Sequence, residues 1–381
     1  MTVAADDLFH LDEFEAQAKR LMSTAARDMA NEGAGQGAGV RANRRAWHEW
    51  GLRSRVLRDV SRCDPSTTVM QTKLSFPAMI APSGLHGLVH PDAELATARA
   101  AAAAGTVMVL SMNSSLPVED VGKAGADLWF QLYCGQERAF VADVMARAAA
   151  AGCKAFCLTV DMPVRPWVLG PMRAALAAVG HIHPAHGHPR SGHLAPGDRW
   201  DHDARLTWRD IEWLRAQSAL PLVIKGIMTP EDAVLAADHG ADAIIVSNHG
   251  GRLLEEGFAT AEVLPAIAGS LDGRIEILVD GGIRTGADIA KALALGARAT
   301  LIGRPALWGL AVSGSAGVQR VLALLRGEFE SIMGMIGAQT PNAIDRSTIA
   351  HRKSLCCQNE CIGYWRLAGV CQTHMATPTD G

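Results

Sequence analysis

Between residues 77 and 303 the chain alternates short apolar runs of strand character with longer Ala/Leu-rich helical patterns, and this repetition constrains the fold more than any other feature. The strand candidates are Ala78–Ala81, Val107–Ser111, Leu128–Tyr133, Ala155–Val160, Leu222–Lys225, Ala243–Ser247, Ile275–Val279 and Thr300–Gly303. Helical patterns follow or lie between them at Glu94–Ala104, Arg138–Ala151, Pro230–His239, Arg284–Leu295 and Ala311–Arg326. Eight such units predict an α/β protein with a (β/α)8 TIM barrel. Residues 1–76 would then form an N-terminal helical cap, 77–349 the barrel, and 350–381 a Cys-rich C-terminal extension.

Composition excludes several classes of partner. The 381 residues carry 36 Lys+Arg against 39 Asp+Glu, a formal charge of −3, with 49% hydrophobic residues. That balance gives no basic field for nucleic acid and no Lys/Arg-rich amphipathic stretch for a membrane surface. The most apolar stretch, LATARAAAAAGTVMVLSM, contains Arg99 and Gly105 and reads as a buried helix followed by a strand. The first twenty residues mix acids and bases without the apolar core of a signal peptide, so a soluble, cytoplasmic protein is expected. Cys63, Cys134, Cys153 and Cys157 lie scattered in apolar or strand-like settings and suggest no disulfide framework.

One connection breaks the rhythm. Residues 164–206 far exceed the usual ~2–6 residues of a βα loop, and long loops on that barrel face serve active sites. This segment carries His181, His183, His186, His188, His193 and His202. The spacing could hold a metal, but the interleaved Pro184, Gly187, Pro189 and Gly192 favour a mobile, solvated loop. The tail poses a similar question: Cys356, Cys357, Cys361 and Cys371 with His351 and His374 lack paired C-x2-C knuckles, which leaves a metal site and a docked or solvated tail both open. A redox role for these thiols ranks third, and no metal ligand is assigned.

Barrel enzymes place catalytic groups at the C-terminal ends of their strands. Polar residues cluster there: Thr159 and Asp161 after the fourth strand, Lys225 after the fifth, Ser247-Asn248-His249-Gly250-Gly251-Arg252 after the sixth, Asp280-Gly281-Gly282 after the seventh and Gly303-Arg304 after the eighth. The last two are glycine-rich turns that open into helices beside Arg284 and Arg304, an arrangement suited to a phosphate. Taken singly, each glycine pair could equally be a tight turn.

The segments SNHGGR, LVDGGIRTGADIAKALALGA, IGRP, LSMNSS, WFQLY, LTVD and IKGI together resemble the FMN-dependent L-2-hydroxy-acid oxidase and dehydrogenase family, which includes glycolate oxidase, lactate oxidase, mandelate dehydrogenase and flavocytochrome b2. The likeness runs from about residue 15 to 349. It implies that Pro82, Ser83, Gly84, Ser111, Gln131, Thr159, Lys225 and Ser247 hold the isoalloxazine ring and ribityl chain of FMN. Asp280, Gly281, Gly282, Arg284, Gly303 and Arg304 would cradle the ribityl chain and phosphate. By the same resemblance His249 is the general base, Asp161 its carboxylate partner, Lys225 a cation near the flavin pyrimidine edge, Tyr133 a hydrogen-bond partner of the substrate and Arg252 a carboxylate clamp.

The chain departs from that family in informative places. Met29 stands where a carboxylate-binding tyrosine is usual, and Val168 where a second carboxylate-binding arginine is usual, with Arg165 near but out of register. Either Arg165 or Arg173 swings in, or the substrate is larger than glycolate or lactate and gains apolar contact with Met29, Trp167 and Val168. Asn113 replaces a bulky residue, and Gly84 replaces the alanine of the oxidases, as in mandelate dehydrogenase. The expected reaction is oxidation of an L-2-hydroxy acid to the 2-oxo acid, with oxygen, a quinone or a redox protein as electron acceptor, in a homo-oligomer. The alternatives are a flavin tailoring enzyme on a larger intermediate, with or without oxidative decarboxylation, and a non-catalytic FMN- or metal-binding module.

Overall fold

The computed structural model describes residues 4–164, 166, 170–179, 182, 184–187 and 202–353. Before the barrel come three helices, α1 (Leu11–Leu21), α2 (Thr24–Asn31) and α3 (Ala38–His48), the short strand β1 (Trp50–Leu52), and a hairpin of β2 (Thr67–Val69) and β3 (Thr72–Leu74). The barrel strands are β4 (Ala78–Ile80), β5 (Val107–Ser111), β6 (Asp127–Leu132), β7 (Phe156–Thr159), β8 (Leu222–Ile227), β9 (Ala243–Val246), β10 (Glu276–Val279) and β11 (Ala299–Ile302). They pair in parallel and close in sequence order, with β11 on β4. The eight-stranded barrel read from the sequence is therefore present, with strand ends within two residues of the expected ones.

The barrel is filled by inward side chains, among them Val109, Trp129, Cys157, Val223, Ile245, Leu278 and Leu301, all essentially inaccessible. Val69 and Leu74 of the hairpin join this interior cluster. The segment before the barrel is thus not a purely helical cap, because its last third supplies a β hairpin that contributes to the barrel core. A short β12 (Ile349–His351) pairs antiparallel with β1, joining the end of the described chain to the N-terminal segment.

Two helices differ from their sequence reading. The helix expected at Arg284 begins at Gly286, because Thr285 caps it through Asp288 N–H at 3.1 Å and leaves Arg284 in the preceding turn. The last helix spans Arg304–Ile336 and is broken at Ser313 and Gly314, so a short helix headed by Arg304 precedes the long one. The inserted segment after β7 contains a helix, Gly170–Val179, that packs against α2.

Candidate active site

Side chains alternate along a strand, so residues two apart share a face. On β5, β6, β7, β8 and β10 the interior positions Val109, Trp129, Cys157, Val223 and Leu278 are followed two residues later by Ser111, Gln131, Thr159, Lys225 and Asp280. The same step beyond Ile245 gives Ser247. All six are buried, and they form a polar layer directly on the apolar one. Ser111 Oγ donates to Gln131 Oε1 at 3.0 Å, and Lys225 Nζ donates to Ser247 Oγ at 2.8 Å and lies 3.3 Å from Asp280 Oδ2. Burial works against the Lys225 charge, but Asp280 and Asp161 outweigh it and raise its pKa above the ordinary lysine range.

His249 has φ +56°, a left-handed conformation uncommon outside glycine, and Gly250 and Gly251 continue it. Its backbone N–H donates to Ser247 Oγ at 3.1 Å. Its Nδ1 lies 3.0 Å from Asp161 Oδ1. Burial pushes the Asp161 pKa up, yet the His249 contact and Lys225 overcome it and hold the carboxyl below its usual range. An ionised carboxylate only accepts, so Nδ1 carries the proton and Nε2 is the basic nitrogen. Gly226 makes room for this pair: a Cβ there would stand 2.6 Å from Asp161 Cβ.

Three arginines meet behind the pair. Arg252 donates from one guanidinium nitrogen to the carbonyls of Met29 and Glu32 at 2.9 and 3.0 Å. Arg304 donates to the carbonyls of Ala30, Gly250 and Glu32, while Arg284 lies over the Trp308 ring at 4.8 Å. Among the described residues no carboxylate is within ion-pair distance of any of the three. Burial and the neighbouring Arg252 and Arg284 pull the Arg304 pKa down to about 9; burial and Arg44 pull Arg284 down to about 10. A guanidinium keeps its proton at neutral pH, so these shifts express an unmet demand for an anion. A cavity of about 520 Å3 adjoins Arg284, Arg304 and Trp308.

Residues 18–351 match the family model for FMN-dependent dehydrogenases. This chain belongs to the FMN-dependent dehydrogenase family. It is 44% identical to an L-lactate oxidase of Nostoc sp. over 89% of this chain and 97% of that protein. It is 39% identical to glycolate oxidase of Spinacia oleracea, over 90% and 96% of the two chains. It is also similar to a crystal structure of mandelate oxidase with benzoyl-formic acid, at 36% identity and a TM-score of 0.80, covering 88% of this chain and 97% of that one.

The mouth of the barrel fits FMN. Gln131 Nε2, Thr159 Oγ1, Asp280 Oδ1 and Arg284 Nε are buried and have no hydrogen-bond partner among the described residues. Such groups are costly unless a ligand satisfies them, and the arginine cluster supplies the charge a phosphate requires. The glycine turn at 281–282 also serves packing, because a Cβ on Gly282 would lie 2.3 Å from the Asn43 carbonyl of α3.

Other expected site residues fall into place unevenly. Tyr133 is buried at the end of β6, near both Lys225 and Arg252. Pro82, Ser83 and Gly84 form the turn after β4, where a Cβ on Gly84 would meet Asn113 Cβ and O at 3.0 Å; the turn is thus pressed against the loop after β5. Arg165, Trp167, Val168, His181, His183, His188, His193 and the four tail cysteines lie outside the described residues. Arg173 is exposed on helix Gly170–Val179.

The solvated reading of the His-rich segment fails at two positions. His186 is buried: Val118 N–H donates to its Nε2 at 2.8 Å, and its Nδ1 lies 3.2 Å from Ser114 Oγ. His202 is buried against Tyr133. Among the described residues no group of three His, Cys, Asp or Glu could hold a metal. Sequence reasoning also missed Glu94, a buried carboxylate that accepts from the backbone N–H groups of His86, Ser115 and Leu116 and ties the turn after β4 to the loop after β5. An acid in the first turn of an alanine-rich helix is the signal that marks it.

Proposed function

We propose that this chain oxidises an L-2-hydroxy acid to the corresponding 2-oxo acid. The observation that carries the reading is the His249–Asp161 pair, 3.0 Å apart, at the barrel mouth that also holds Lys225, Tyr133 and the half-buried Arg252. Arg252 would receive the substrate carboxylate in a charge-assisted pair, oriented by its bonds to the carbonyls of Met29 and Glu32. Tyr133 would hydrogen-bond the substrate, and His249 Nε2 would take a proton from it. Asp161 holds the ring in the correct tautomer and stabilises the imidazolium.

FMN, when bound, supplies the two-electron acceptor. Ser111, Gln131, Thr159, Lys225, Ser247 and the Pro82-Ser83-Gly84 turn would hold its ring and ribityl chain, and Lys225 would offset negative charge on the reduced ring. Asp280, Gly281, Gly282, Arg284, Gly303 and Arg304 would hold its ribityl chain and phosphate.

The substrate we favour is larger than glycolate or lactate. Met29, whose backbone carbonyl accepts from Arg252, carries a thioether and no phenol, so a substrate here gains apolar contact at about 25 cal/mol per Å2 in place of a polar one. The solved relative bound to benzoyl-formic acid supports an aryl substrate. The electron acceptor is oxygen, a quinone or a redox protein. A cytoplasmic location is supported by Cys63, Cys134, Cys153 and Cys157 being free thiols, and a homo-oligomer by exposed Leu254 and Phe258. Among the described residues no helix is long and apolar enough to cross a membrane.

Anaerobic mixing of the purified holoenzyme with glycolate, lactate, mandelate and long-chain 2-hydroxy acids tests the proposal. Bleaching of the flavin by at least one of them, with the aryl or long-chain acids giving the higher kcat/KM, is the expected outcome. A flavin that no 2-hydroxy acid reduces overturns the reading.

A further inference from the structure

The end of the inserted segment returns to the barrel mouth at Tyr133. The His202 and Tyr133 rings have their centroids 4.1 Å apart with planes inclined at 42°, and both residues are buried. One residue farther along each chain, Asp203 N–H donates to the Cys134 carbonyl at 3.0 Å. That bond sets the register between the two segments and presses the rings together. Asp203 is itself held: its carboxylate accepts from Arg205 at 2.8 Å and lies 3.9 Å from Arg138, which also pairs with Asp210 at 2.7 Å.

We propose that His202 is a positioning residue for the oxidation, acting through Tyr133. The inference rests on the substrate role assigned to Tyr133 above. A tyrosine at a strand end can swing about χ1, and a swing would carry its hydroxyl away from Arg252 and Lys225. An imidazole packed on the ring in a water-poor setting closes off that movement, and aromatic pairs in offset or tilted contact are favourable beyond their buried area. Misplacement of a catalytic contact by about 1 Å costs on the order of 10²-fold in rate. The inserted segment thereby gains a defined function that its His, Pro and Gly composition conceals: its last residues fix a substrate-binding phenol.

The test is the rate of anaerobic flavin reduction by the best 2-hydroxy acid, measured in FMN-loaded holoenzyme for His202→Ala, His202→Phe, Tyr133→Phe and the Tyr133→Phe/His202→Ala pair. His202→Ala should slow reduction by roughly 10- to 100-fold while flavin content is retained. His202→Phe, which keeps a ring against Tyr133, should restore the rate to within about threefold of the native protein, since it supplies the same kind of ring contact. In the Tyr133→Phe background, His202→Ala should cost almost nothing further, because contacting residues that act as one unit are not additive. Independent losses that multiply in the double variant, a His202→Phe as slow as His202→Ala, or a His202→Ala as fast as the native protein would each overturn the proposal. Failure of the underlying functional reading is distinguished by the native holoenzyme, which would then not be reduced by any 2-hydroxy acid.

Discussion

Asp161 reaches His249 only because residue 226 has no side chain: a Cβ on Gly226 would lie 2.6 Å from Asp161 Cβ, and its φ of +109° is one that other residues resist. The IKGI segment is therefore part of the catalytic geometry although glycine contributes no chemistry. Gly226→Ala is expected to displace Asp161 and slow flavin reduction by at least about tenfold, since even ~1 Å of misplacement is expensive. Stopped-flow reduction with flavin content as control checks it; an unchanged rate would mean that the Asp161 carboxylate does not need this space.

The ionisation of Asp161 has a signed consequence for stability. Its folded pKa lies below the ordinary aspartate value of about 3.9 because its interactions with His249 and Lys225 outweigh burial. A group with a depressed folded pKa contributes stability that is fully present above the unfolded value and is lost as pH falls through the folded one. The part of the difference in unfolding free energy between the native protein and Asp161→Asn that comes from this carboxylate should be complete at about pH 5 and shrink as the pH falls further. Denaturant titrations across this range measure it.

Removal of FMN should expose the repulsion among Arg252, Arg284 and Arg304. The flavin-free protein is expected to melt several degrees below the holoenzyme, and millimolar inorganic phosphate should recover part of the loss by binding the folded state alone. In Arg304→Gln the phosphate effect should largely disappear. Calorimetry of the apo and holo forms with and without phosphate provides the comparison.

Gly84→Ala forces a Cβ to within 3.0 Å of Asn113 unless the loop after β5 moves. Overpacking of this kind typically costs about 1–3 kcal/mol, so a lower Tm is expected. Because the turn borders the proposed flavin site and not the His249 pair, reoxidation by oxygen should change more than reduction by substrate. Separate stopped-flow traces of the two half-reactions distinguish these effects; equal changes would make Gly84 a turn residue only.

The barrel was legible because its signal is redundant. Each strand is a short apolar run buried on both faces, and the polar residue two steps beyond Val109, Trp129, Cys157, Val223 or Leu278 marks its end. The hairpin at Thr67–Leu74 was not legible, since two three-residue strands in DPSTTVMQTKL carry too few positions to show a period. His186 and His202 were obscured by their surroundings. Nothing in a His/Pro/Gly run announces that one imidazole accepts from Val118 N–H and another packs on Tyr133, because both partners are distant in sequence. The three arginines were visible as candidates, but the shared attachment of Arg252 and Arg304 to the end of α2 was not, because backbone carbonyls leave no trace in residue identity.

His249 is the base on which the proposed oxidation depends, and His249→Gln tests that role most directly. With flavin content measured first, anaerobic stopped-flow reduction by the best 2-hydroxy acid should be slower in the variant by about 10²–10⁴-fold, with FMN still bound. Reduction at a near-native rate would contradict the account and remove His249 from the reaction.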